Sequence, residues 1–253
     1  MSESDSLQKE EPKTKMVPEH VFAFHCHPGV SCFTRCCRDV TIALTPYDVL
    51  RLKKALGISS DEFLEKYTLI IPKKNRLIPL VVLKMNDEDK KCAFVIEEGC
   101  SVYQERPWAC RMYPLDMDDD GTFRLIAESS RCRGLDEKED WRIGDWLVDQ
   151  GVVPYDEMNA LFSSITVPLQ SQDLNIDNPQ ITKMLFMALY NLDKFKEFVF
   201  KSTFLDRFEV EPLRLEKIKR NDDELLKFAF DWIKFGLFGQ KLFWVKETAK
   251  KSD

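Results

Sequence analysis

The chain has 253 residues, 44% of them apolar, which is enough for one large domain or two small ones with a true core. Its 37 basic and 43 acidic residues leave a formal charge of −6, and no Lys/Arg block stands clear of acidic neighbours, so a nucleic-acid groove is not indicated. The N-terminus lacks the apolar core of a secretory signal and no run reaches the ~18 apolar residues of a membrane span, so the expected compartment is the cytoplasm.

Residues 1–20 are polar and charged and are expected to form a disordered tail. Val21 to Phe24 is a short apolar run, read as a strand entering the core. The stretch Cys26-His27-Pro28-Gly29-Val30-Ser31-Cys32-Phe33-Thr34-Arg35-Cys36-Cys37 then places four thiols in twelve residues, with a Pro-Gly turn that can fold Cys26 and Cys32 toward one point. Val40 to Leu44 reads as a strand. Thr45-Pro46-Tyr47-Asp48 supplies an N-cap, a proline at the first helical position and an acid at the third. Val49, Leu52 and Leu56 continue the helix and Gly57 ends it. A second cap, Ser59 with Glu62, opens a short helix carrying Phe63, Leu64 and Tyr67.

Leu77 to Met85 and Lys91 to Ile96 carry strand signals, the first interrupted by Pro79. Glu98-Gly99 turns the chain into Cys100, and Cys110 follows. Asp116, Asp118, Asp120 and Gly121 match the opening of a calcium loop, but the position of its bidentate acid holds Ala127. A hairpin turn is therefore expected there instead. From Trp141 the text becomes helical. Ile181, Met184, Leu185, Ala188, Leu189 and Leu192 share one face, and Leu225, Ala229, Trp232 and Ile233 another. The last apolar run, Phe235 to Trp244, is expected to dock back onto the protein.

All eight cysteines, Cys26, Cys32, Cys36, Cys37, Cys92, Cys100, Cys110 and Cys132, lie within the first 132 residues. In a reducing compartment such clustering points to metal ligation or redox chemistry rather than structural disulfides. Thiolates are soft ligands that select zinc, Cu(I) or iron–sulfur clusters. The chain has no Cys-x2-Cys pair of the kind zinc knuckles use, and its irregular spacing suits the wider footprint of a cluster. An iron–sulfur cluster is thus preferred, with zinc the alternative. Arg35, Arg38, Arg106, Arg111, Arg131 and Arg133 lie close to cysteines in sequence, as an anionic centre requires. Of these, Arg35, Arg106 and Arg111 are the candidates for contact with the bound group. The three histidines, His20, His25 and His27, crowd the first thiol and leave a mixed Cys/His sphere open.

The ordered set Cys26, Cys32, Cys36-Cys37, then Ile42-Ala43-Leu44-Thr45 and Asp48, Cys92-Ala93-Phe94, Cys100-Ser101-Val102-Tyr103, Arg106-Pro107 and Cys110-Arg111-Met112-Tyr113-Pro114 resembles the YkgJ-type cysteine-cluster family. The resemblance runs from about residue 22 to 135. It implies a zinc- or iron-chelating domain held by the matched cysteines, and it links the chain distantly to flagellin lysine N-methylases. Where the family has two residues between its first two cysteines, this chain has five.

Two functional classes follow. One is an enzyme, a lysine N-methylase-like or redox catalyst using the centre, although neither a Gly-x-Gly-x-x-Gly turn nor a phosphate loop is present. The other is a metal-binding module whose helical half meets a protein partner. The expected architecture is α+β: a tail over 1–20, a small metal-stapled cysteine-cluster domain over 21–140 with short strands and helices, and an all-helical region over 141–253.

Overall fold

The computed structural model describes residues 15–72, 76–171 and 178–246, so most of the expected N-terminal tail, residues 1–14, lies outside the described residues. In chain order the elements begin with β1 (Val21–Ala23), α1 (Pro46–Leu56), α2 (Ser60–Tyr67), β2 (Thr68–Ile71) and β3 (Leu80–Leu83). They continue with β4 (Val95–Ile96), β5 (Gly99–Cys100), α3 (Trp108–Met112), β6 (Leu115–Met117), β7 (Phe123–Leu125), β8 (Asp140–Arg142) and α4 (Ile143–Asp149). The C-terminal part is α5 (Val153–Ser171), α6 (Pro179–Tyr190), α7 (Leu192–Lys201), α8 (Phe204–Arg207), β9 (Phe208–Glu209), α9 (Pro212–Arg220), α10 (Asp222–Phe238) and β10 (Trp244–Val245). Every strand pair among the described residues is antiparallel and two-stranded, and the fold class is α+β. No helix among them is long and apolar enough to cross a membrane.

The chain forms two compact units, each built from two separate segments: 1–33 with 112–150, and 34–111 with 151–253. In the first unit β1 pairs with β8, so that Phe22 lies opposite Trp141. Phe22 and Phe24 both meet the Trp146 ring of α4 edge-on, at 5.7 and 5.2 Å between centroids. β6 and β7 form the hairpin expected at Asp116–Gly121, with Gly121 at φ 78° in its turn and Arg124 paired to Asp116 and Asp118. Met16 exchanges backbone hydrogen bonds with Phe123 at 2.8 Å, adding a bridge beside β7.

The second unit has a helical core centred on α10, whose Leu225, Leu226, Phe228, Ala229, Phe230 and Ile233 are all buried. α1 follows its sequence signals closely. Thr45 and Asp48 form a reciprocal capping box, Pro46 takes the first turn, and Gly57 ends the helix at φ 64°. Ser59 caps α2 by accepting the Glu62 N–H. The expected strand over Val40–Leu44 is reduced to one bridge, Ala43 to Val82, flanked by Leu44 N–H to Val81 and Leu83 N–H to Ile42 carbonyl bonds. Asp39, at φ 51°, and the start of α1 leave it too little room to extend. At the other end of the chain, Phe243 docks into this core and β10 pairs with β9.

One cation fastens α1 to two later helices. The Lys53 side chain is 6% exposed, with Nζ 2.8 Å from Asp193 and 3.4 Å from Asp222. Burial opposes the charge on both carboxylates. The hydrogen bonds of Lys53 and Ser60 to Asp193, and the charges of Lys53 and Lys196 beside Asp222, outweigh it and hold both pKa values below the usual range. A depressed carboxylate pKa adds stability above the ordinary carboxylate range and loses it as pH falls through and below that range. Replacing Lys53 with Ala strands two half-buried carboxylates and should cost about 2 kcal/mol at pH 7, discounted because both remain partly solvated. The loss should shrink toward pH 3. Urea denaturation of the variant at both pH values checks this, and an equal loss at both would show that these carboxylates do not carry the effect.

Candidate metal centre

Five cysteines, Cys36, Cys37, Cys92, Cys100 and Cys110, belong to the second unit, and three, Cys26, Cys32 and Cys132, to the first. In the second unit Cys36 and Cys37 occupy a single 3-10 turn, Arg35–Cys37, entered through Thr34 at φ 63°. Their sulfurs lie 3.9 Å apart. The Cys37 carbonyl accepts the Cys92 N–H at 2.9 Å, and bridges from Arg38 to Lys91 and from Met85 to Cys92 tie the same segments together. The run expected as a strand from Lys91 to Ile96 breaks immediately after Cys92, because the Val95 N–H turns back to the Cys92 carbonyl at 3.1 Å. Only β4 remains. It pairs with β5 so that Cys100 lies opposite Val95, and Ser101 closes the hairpin onto the Phe94 carbonyl through both its N–H and its hydroxyl.

Cys110 arrives on α3, where its N–H returns to the Pro107 carbonyl at 2.9 Å. Burial pushes its thiol up to about 12, assisted by the neighbouring Cys92, Asp48 and Cys100 and opposed by Arg106. Burial likewise raises Cys92, with Cys100 adding to it, and raises Cys100, which Arg106 lowers. Cys36 is exposed, and its hydrogen bond with Cys37 is the main cause that raises its thiol above the ordinary range. These effects place Cys92, Cys100 and Cys110 near one another and Cys36 beside Cys37, and the Cys92 N–H to Cys37 carbonyl bond ties the two groups of residues together.

The arginines expected beside the centre separate by role. Arg106 is 6% exposed, its guanidinium 3.9 Å above the Tyr103 ring and hydrogen-bonded to the Tyr103 carbonyl at 2.6 Å. Burial lowers its pKa, and Cys110 and Cys100 are among the groups that hold it up. Arg111 braces the loop before α3: its Nε donates to the Arg106 carbonyl at 3.0 Å, and its Nη2 donates to the Gln104 carbonyl and, at 3.2 Å, to the Tyr155 hydroxyl. Arg35 is exposed on the turn of Cys36 and Cys37.

In the first unit Cys32 and Cys132 are buried and Cys26 is exposed. The Arg133 N–H donates to the Cys32 sulfur at 3.1 Å. Burial raises the Cys132 thiol and Cys32 adds to it, while the Tyr113 hydroxyl and the Gly134 backbone lower it. The histidines have local duties. His20 Nδ1 accepts the Val17 N–H, His27 Nδ1 accepts the Gly29 N–H, both at 3.1 Å, and His25 Nδ1 lies 2.8 Å from Glu139.

Soft sulfur donors beside a buried guanidinium fit a thiolate-bound zinc or iron centre. Among the described residues no group of three or more His, Cys, Asp or Glu side chains is arranged to hold a metal ion. What sequence reasoning missed is Asp48 as a charge acting on Cys110. The capping pattern flagged the residue, but nothing in the text links it to a helix 60 residues later.

Residues 25–133 match the family CxxCxxCC, described as "Putative zinc- or iron-chelating domain". The chain spaces its first four cysteines as Cys-x5-Cys-x3-Cys-Cys, wider at both gaps than the two-residue gaps in the family's name. No curated protein and no solved structure matches the chain. The ordered thiols and the matched span agree, and the segment from His25 to Arg133 is similar to the CxxCxxCC cysteine-cluster family of zinc- or iron-chelating domains.

Proposed function

We propose that this protein chelates an iron–sulfur cluster or, as the alternative, zinc through the thiols of its second unit, with ligands drawn from Cys36, Cys37, Cys92, Cys100 and Cys110. The observation that carries the reading is that Cys92, Cys100 and Cys110 disfavour one another's ionisation, while the Cys92 N–H to Cys37 carbonyl bond joins their segment to the turn on which the Cys36 and Cys37 sulfurs meet. A cluster of thiols that cannot ionise alone is stabilised by a cation that shares their negative charge. Arg106, next to Cys100 and Cys110, supplies compensation for the anionic complex. The cluster is favoured over zinc because the ligand spacing is irregular and a cube of iron and sulfide spreads its ligands farther than a single tetrahedral ion. When bound, such a cluster supplies one-electron redox chemistry, whereas zinc supplies a structural fastening of the loops that carry the thiols.

Metal and acid-labile sulfide analysis of protein purified without oxygen separates the two. Iron with matching sulfide supports the cluster, zinc alone selects the alternative, and neither metal overturns the reading. Cys36→Ser and Cys110→Ser should each lose most of the bound metal, while Cys132→Ser, in the other unit, should keep it. Full metal content in Cys110→Ser would remove that residue from the ligand set.

The raised thiol pKa values add a signed pH dependence. Near neutral pH each ligand thiol must give up its proton to bind, so metal affinity should rise with pH, and chelation should release about three to four protons per metal in weakly buffered solution. A pH-stat titration of metal-free protein with zinc measures this. Release of fewer than one proton per zinc would contradict thiol ligation.

A further inference from the structure

Asp48 is buried to 1% exposure within α1, and its two carboxylate oxygens serve different elements. Oδ2 accepts the Thr45 N–H at 2.7 Å and the Thr45 hydroxyl at 2.9 Å, completing the cap of α1. Oδ1 accepts the N–H of Trp108, the first residue of α3, at 2.8 Å. The Trp108 indole N–H in turn donates to Asp156 of α5 at 2.7 Å. Trp108 is therefore gripped at its backbone and at its side chain by two carboxylates.

α3 has five residues, and a helix that short does not hold its own position. The N–H groups of Cys110 and Arg111 both return to the Pro107 carbonyl, one residue before Trp108. The direction in which Cys110 presents its sulfur is thus set by whatever fixes Trp108. Electrostatics argues against a carboxylate at this place, because its charge makes the neighbouring thiolate harder to form. The hydrogen bond to Trp108 gives it a geometric reason to be there.

We infer that Asp48 is a positioning residue for the thiol centre, orienting Cys110 through the Trp108 N–H in addition to capping α1. The inference rests on the chelation reading above and concerns how its ligands are held.

The test uses the full chain, with Asp48→Ala, Asp48→Glu and Thr45→Ala compared in two measurements. One is cobalt(II) affinity and the intensity of its thiolate charge-transfer band. The other is the rate of Cys110 alkylation in metal-free protein, read by mass spectrometry. Thr45→Ala loses the α1 cap but keeps the Trp108 contact, so both readouts should stay near the parent. Asp48→Ala should lower cobalt affinity about 10- to 100-fold, as removal of an outer-shell partner does, weaken the band, and speed Cys110 alkylation about tenfold. Asp48→Glu keeps the charge but displaces the oxygen. It should shift both readouts in the same direction and serves if the alanine variant does not fold. Equal effects in the Thr45 and Asp48 variants, or unchanged Cys110 alkylation in the folded Asp48 variants, overturn the inference. If the parent protein binds no cobalt, the chelation reading fails, and the alkylation rates alone decide the role of Asp48.

Discussion

A buried carboxylate that begins two helices at once is the constraint on which the thiol-bearing unit depends. Asp48 closes the cap of α1 and holds the first N–H of α3, so the start of the scaffold helix and the start of the cysteine helix share one anchor. Leaving a buried N–H or carboxylate oxygen without its partner costs about 1–3 kcal/mol, more for a charged group. Either helix shifting alone would incur that cost. Everything between them, the β2–β3 pair, the Cys92 turn and the β4–β5 hairpin, is chain closed between two fixed points.

The thiol neighbourhood is arranged against its own ionisation. Burial, the approach of Cys36 to Cys37, and the mutual influence of Cys92, Cys100 and Cys110 all favour the protonated form. Arg106 is the opposing group, lying over Tyr103 and acting on Cys100 and Cys110. Isolated buried thiols with raised pKa values are poor nucleophiles, since the thiolate is the reactive form. A cation bound among such thiols would offset the charge that burial and their mutual repulsion disfavour.

Local signals were legible where local physics decides. Thr45, Pro46, Asp48 and Gly57 marked both ends of α1 because a cap, a proline and a left-handed terminus act within a few residues. The hairpin at Asp116–Gly121 was readable for the same reason, as was the return of Phe243 to the core. The strand expected over Lys91–Ile96 was not so readable. Its apolar text is intact, but the turn after Cys92 is imposed by pairing with Cys37, more than fifty residues earlier. The cysteines could be recognised as a group, yet their allotment to two units could not. That allotment depends on the chain leaving the second unit after Arg111 and returning at Gly151. Gly151 marks the return with φ 63°, where an added Cβ would lie 3.0 Å from the Arg111 guanidinium.

The second unit does not depend on its thiols for a core. α10 alone buries six apolar residues, and Phe195, Phe204 and Phe243 join it from three other parts of the chain. Each fully buried side chain of this size contributes about 1.5–3 kcal/mol. A metal bound by Cys36, Cys37, Cys92, Cys100 and Cys110 would therefore fasten the loops that carry those residues rather than the helices beneath them. Metal binding and global folding are then separable to a degree that a small metal-dependent finger does not allow. The scaffold holds its shape through Lys53, Asp48 and the aromatic core, independently of any cation bound by the loops mounted on it.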